Sequence, residues 1–107
     1  MNSQECAKVL KALADNTRLR ILEYLFNGES SVSEISESIG ADFSQVSHHL
    51  GVLRNSGLVI DSKEGKFVMY RLHPVFYKQK DKRRKVLDFD CCSVEFSKPE
   101  DMRKKGI

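Results

Sequence analysis

The stretch SQVSHHLGVLRNSGLV, Ser44 to Val59, sets His48 beside His49, and the later run CCSVEF sets Cys91 beside Cys92. Imidazoles and thiolates are common transition-metal ligands, and thiolates also exchange disulfides. A helix brings two ligands to one ion when they stand three or four residues apart, whereas adjacent residues diverge by about 100°. Between Phe43 and Gly57 no Cys, Asp or Glu stands at that offset from either histidine. A metal on the paired histidines would need ligands from elsewhere in the chain. The vicinal thiols are the better candidates for soft-ion chemistry, although burial as small hydrophobes is the ordinary use of such cysteines, ligation a second and oxidation a third.

Length and charge narrow the classes. A chain of 107 residues suits one compact domain with a small core. No stretch approaches the roughly 18 apolar residues of a membrane span. The start MNSQECAKVLKALA has no secretory signal pattern, so a cytoplasmic protein is expected. Three cysteines, an odd number in a reducing compartment, argue against a disulfide framework. The net charge of +3 is uneven: residues 1–72 carry 8 basic and 9 acidic side chains, residues 73–107 carry 10 and 6. A near-neutral body can still bind nucleic acid if its basic groups share a face.

The elements that position these residues follow from hydrophobic spacing. Ser3 as a cap and the stripe Cys6, Val9, Leu10 and Leu13 predict a first helix. Asp15 or Asn16 opens a second through Leu19, Leu22, Leu25 and Phe26, stopped by Gly28. Ser33 caps a short helix through Ile35 and Ile39, ended by Gly40, and Asp42 with Gln45 resembles a capping box before Val46, Leu50 and Leu53. Two helices joined at Gly40, Ala41 and Asp42 are the pattern of a helix-turn-helix unit. From Leu58 to Leu72 the period changes to that of a β-hairpin with Gly65 in its turn. The run YKQKDKRRK reads as solvated or as an exposed helix face. KVLDFDCCSVEF alternates like a strand bulged or turned at the cysteines, and the tail after Pro99 is expected to fray.

On a helical projection Val46, Leu50, Leu53 and Phe43 share one stripe, with His49 at its flank. Ser44, His48, Gly51 and Asn55 lie opposite, with Gln45, Ser47 and Val52 at the margins. A generic solvated face would carry Lys and Glu. This one is small and polar, suited to base edges in the roughly 12 Å major groove.

With LKALADNTRLRILEYL, SQVSHHLGVLRNSGLV and GKFVMYRL in place, the chain resembles the ArsR/SmtB family of winged-helix repressors over about Ala7 to Leu72. The resemblance implies a mainly α fold with a small β-hairpin, a winged helix-turn-helix over residues 1–72 that includes a dimerising N-terminal helix. Residues 73–107 would then form a basic linker and an atypical strand-like extension. It implies a homodimer on a palindromic operator in double-stranded DNA. Ser44, Gln45, Ser47 and His48 would face the groove, Lys63 and Lys66 would meet phosphates at the wing tip, and Arg54 would serve as a phosphate or salt-bridge group.

The departures bear on sensing. Where arsenic and cadmium sensors of the family often carry a Cys-x-Cys motif, this chain reads SSVSEISESI, and after Leu72 only His73 offers an imidazole. The remaining candidate is Cys91 with Cys92, joined by Cys6 if the first helix meets the C-terminal segment at the dimer core. Such a site would take trivalent arsenic or another soft ion. The cysteines could instead be an oxidation switch or packing groups, which would leave a DNA binder without an effector. A winged-helix protein-interaction module is the other class, and no glycine-rich phosphate loop or nucleophile-base spacing recommends an enzyme.

Overall fold

The structure is a computed structural model that describes residues 1–77 and 83–96. Most of the YKQKDKRRK run and the tail after Pro99 lie outside the described residues. The chain order is α1 (Ser3–Leu13), α2 (Asn16–Leu25), β1 (Ser30–Ser31), α3 (Val32–Ile39), α4 (Phe43–Asn55), β2 (Val59–Glu64), β3 (Phe67–Leu72), β4 (Lys85–Asp88) and β5 (Ser93–Phe96).

The helices form where apolar residues recur at steps of three and four, and their starts are set by local side-chain bonds. Asn2, one residue before the expected Ser3, caps α1 by accepting from the Glu5 amide. Asp15 caps α2 through the Arg18 amide. Ser31, and not Ser33, caps α3, because Glu34 stands three residues on and completes a reciprocal capping box. The capping box expected at Asp42 and Gln45 is not formed; the Asp42 carboxylate instead accepts from the Ser44 hydroxyl at 2.5 Å.

β2 and β3 pair antiparallel from Val59↔Leu72 to Glu64↔Phe67, leaving a two-residue turn at Gly65 and Lys66. Gly65 takes φ +61 there, a conformation that costs other side chains energy. The short β1, which sequence spacing did not reveal, joins the other edge of β3 through Ser30↔Tyr70. Together α3, α4 and this hairpin make a winged helix-turn-helix, mainly helical with a small sheet.

One core runs through all of it. Ile21, Leu22, Ile35, Val46, Leu50 and Leu53 are buried between the helices. β4 and β5 pair through Leu87↔Val94 and add Leu87 and Phe89 to the same core. Phe89 meets Phe76 at 5.0 Å with the rings tilted, and Phe26 meets Tyr77 at 5.0 Å and Phe96 at 5.8 Å. These aromatic contacts dock the β4–β5 pair, in the segment whose alternation reads as a strand, against the core. Leu10 and Phe43 depart from the stripes assigned to them: they are 47% and 54% exposed.

Candidate nucleic-acid interface and thiol cluster

The packing of α4 decides which of its side chains face solvent. Val46, Leu50 and Leu53 are fully buried, so the opposite side of the helix is turned outward. Ser44, Gln45, Ser47 and His48 are all exposed on it. The Ser44 hydroxyl bond holds the Asp42 carboxyl below its ordinary value. Lys63 on β2 and Lys66 in the wing turn are also exposed. Arg54 near the end of α4 pairs with Asp61 of β2 at 3.1 Å, which ties the recognition helix to the wing.

The paired histidines part company. His48 is exposed, while the His49 side chain is only 17% exposed and points back toward α2. The rings stand 5.6 Å apart, edge to face. Arg18 of α2 places Nη1 3.2 Å from His49 Nδ1, and donates from Nε to the Ala12 carbonyl at 2.7 Å and from Nη2 to that of Lys11 at 3.3 Å. Arg18 therefore closes the C-terminal turn of α1 and braces α4 with one guanidinium. Nothing in the local sequence DNTRLR marks this role, because its partners lie 6 to 31 residues away. Arg20 likewise donates to the Ile39 carbonyl at the end of α3.

The second cluster joins α1 to the turn between β4 and β5. Cys6 of α1 is disulfide-bonded to Cys91 across a separation of 85 residues, which corrects the expectation that the cysteines form no disulfide. An odd cysteine count excludes complete pairing and not a single bond, and tertiary packing has set these two side by side. Cys91 is exposed and not part of the buried alternation, because the chain turns at Asp90, with φ +73. The Phe89 amide donates to the Cys92 carbonyl at 2.8 Å and closes that turn. The N-terminal ammonium meets Asp90 at 3.3 Å.

Cys92 is the free thiol, half-buried, with its sulfur 3.9 Å from that of Cys91. The three sulfurs lie within 4.8 Å of one another. Thiolates around an ion with bonds of about 2.3 Å in a tetrahedral arrangement stand about 3.8 Å apart. Cys91 and Cys92 already meet that spacing, while the Cys6 sulfur is bonded to that of Cys91.

Comparison with known proteins agrees with this architecture. Residues 15–61 match the model of the bacterial regulatory protein, arsR family. The HTH-type transcriptional regulator NmtR of Mycobacterium tuberculosis is 45% identical over 76 residues, which is 68% of this chain and 63% of that protein. Reduced HlyU from Vibrio cholerae superposes with a TM-score of 0.64 at 42% identity, covering 67% of this chain and 76% of that one. A homodimeric winged helix-turn-helix DNA-binding domain of Mycobacterium bovis gives 0.63 at 37%, with 65% of each chain covered. The protein belongs to the ArsR family of winged helix-turn-helix regulators. Its likeness to NmtR spans less than two thirds of that relative's length.

Proposed function

We propose that this protein is a homodimeric repressor of transcription in the cytoplasm, binding a palindromic operator and released by a soft metal, a metalloid or a thiol oxidant acting at Cys6, Cys91 and Cys92. The observation that carries the DNA-binding part is the two-sidedness of α4: three fully buried aliphatic residues on one side, and an uncharged, hydrogen-bonding outer face at Ser44, Gln45, Ser47 and His48 on the other. Such a face can enter the major groove without the desolvation cost of fixed charges, while Lys63 and Lys66 hold the flanking backbone.

The M. bovis relative is homodimeric. An exposed Leu10 on α1 supports the same assembly here, since a second copy would cover it. In this reading Arg54 exchanges Asp61 for a phosphate or keeps it as a brace, and its role is positional. Sedimentation equilibrium of the protein with duplex carrying its selected site tests the proposal. Two chains per palindrome are expected, and Leu10→Glu should lower the dimer fraction; one chain per duplex would contradict the dimeric reading.

A further inference from the structure

The thiol cluster has two mutually exclusive states. In the disulfide state the Cys6–Cys91 bond consumes two of the three sulfurs and leaves Cys92 alone. A lone thiol cannot chelate, whereas three thiolates within 4.8 Å can surround one soft ion. We propose that the soft-ion site exists only in the reduced protein and that closure of the Cys6–Cys91 disulfide switches it off. This rests on the soft-effector reading above and adds a redox gate to it.

The scaffold around the sulfurs is held by contacts other than the bond as well. α1 is held by the buried Val9, Ala12 and Leu13, and the cysteine turn is held by the buried Phe89 and by the Phe89 to Cys92 backbone bond. The Met1 ammonium adds a second link from the N-terminus to Asp90 of the same turn. Breaking the disulfide therefore leaves Cys6 facing Cys91 and Cys92, ready to ligate. Reduction transfers two electrons: two molecules of a low-molecular-weight thiol become its disulfide, and Cys6 and Cys91 each gain a proton. Arsenite then exchanges its three hydroxyls for three sulfurs, the thiol protons leaving in three molecules of water. In the reverse direction a peroxide accepts the two electrons and two protons, becoming two molecules of water, as the bond closes.

The gate is tested with the full chain and arsenite as the probe. One sample is reduced with a phosphine that is then removed; another is oxidised with stoichiometric hydrogen peroxide and its linkage mapped by peptide mass. Titratable thiols and arsenic adduct mass are then read with and without arsenite. The reduced protein is expected to take up one arsenic and lose all three thiols. The oxidised protein should show a Cys6–Cys91 peptide, one thiol and no arsenic, and a second phosphine treatment should restore uptake. Reduced Cys6→Ser and Cys92→Ser, checked for wild-type circular dichroism, should each weaken uptake.

Equal uptake by reduced and oxidised protein would overturn the gate and leave the soft-effector reading standing. No uptake by either would overturn that reading and the gate with it. Peroxide treatment that yields no Cys6–Cys91 bond, or undiminished uptake by folded Cys6→Ser, would also overturn the gate.

Discussion

Arg18 and His49 meet across the α2–α4 boundary, Nη1 to Nδ1 at 3.2 Å, and the same guanidinium holds the last carbonyls of α1. A guanidinium only donates, so Nδ1 accepts and the imidazole proton sits on Nε2, 3.9 Å from the Asp15 carboxylate. His49 is thus a brace for the recognition helix. His49→Ala is expected to lower unfolding stability by about 1–2 kcal/mol, because it removes the acceptor of a partly buried charged donor. Its ratio of affinities for operator and scrambled DNA should hold. His48→Ala should do the reverse, leaving denaturant midpoints unchanged and costing about 1–3 kcal/mol of discrimination. Equal destabilisation by both substitutions would contradict the division of roles.

Asp15 gives the fold a dependence on pH. The Arg18 amide, as N-cap donor, is the main cause holding the Asp15 carboxyl below its ordinary value of 3.8, with the charge of the Arg18 guanidinium adding to it. A carboxyl depressed on folding stabilises the native state fully above its unfolded value. That contribution is lost as pH falls from 3.8 through the lower folded value. Asp15→Asn keeps a capping oxygen and removes the titration. Acid denaturation curves should therefore be shallower below pH 4 for Asp15→Asn than for the wild type, by about one proton at most. Identical slopes would exclude Asp15 as a contributor.

The helical stripes were legible in the sequence because Val46, Leu50 and Leu53 repeat at helical spacing, and the hairpin because the period changes at Leu58. The edges were harder to read. Ser31 and Ser33 both look like caps, and Ser31 prevails because Glu34 can answer it. Phe43 falls on the apolar stripe by angle, yet as the first residue of α4 it precedes the turn that meets the core. The outward polar set was readable from the same projection that placed the core. The approach of Cys6 to Cys91 and the Arg18 clamp left no local mark, since spacing along the chain carries no information about which distant surfaces meet.

Phe43, exposed at the N-terminal end of α4, stands where recognition helices present residues to base edges. An apolar ring there can meet a thymine methyl. Phe43→Ala is expected to change stability by less than about 0.5 kcal/mol, as for other surface positions. Replacing thymines of the operator by uracil one at a time should weaken wild-type binding at one position per half-site and leave Phe43→Ala unaffected. Uniform insensitivity of the wild type would remove Phe43 from the readout.

Lys63 and Lys66 flank the tip of the wing, exposed and without a carboxylate partner among the ion pairs of the described residues. Replacing both by Ala should weaken operator and scrambled DNA alike. The slope of log K against log salt should flatten by about 0.9 for each phosphate that a lysine no longer neutralises. Weakening confined to the operator would assign these lysines to base reading instead.

On the proposed function, α4 reads DNA sequence as one half of a symmetric pair. Selection of binding sites from a random duplex pool, followed by sequencing, tests it most directly. An enriched inverted repeat is expected, with half-site centres about one helical turn, 10–10.5 base pairs, or a multiple of it apart. A pool that shows no enrichment after repeated rounds at moderate salt would contradict sequence-specific binding, and enrichment of a single half-site without its inverted copy would contradict the dimer.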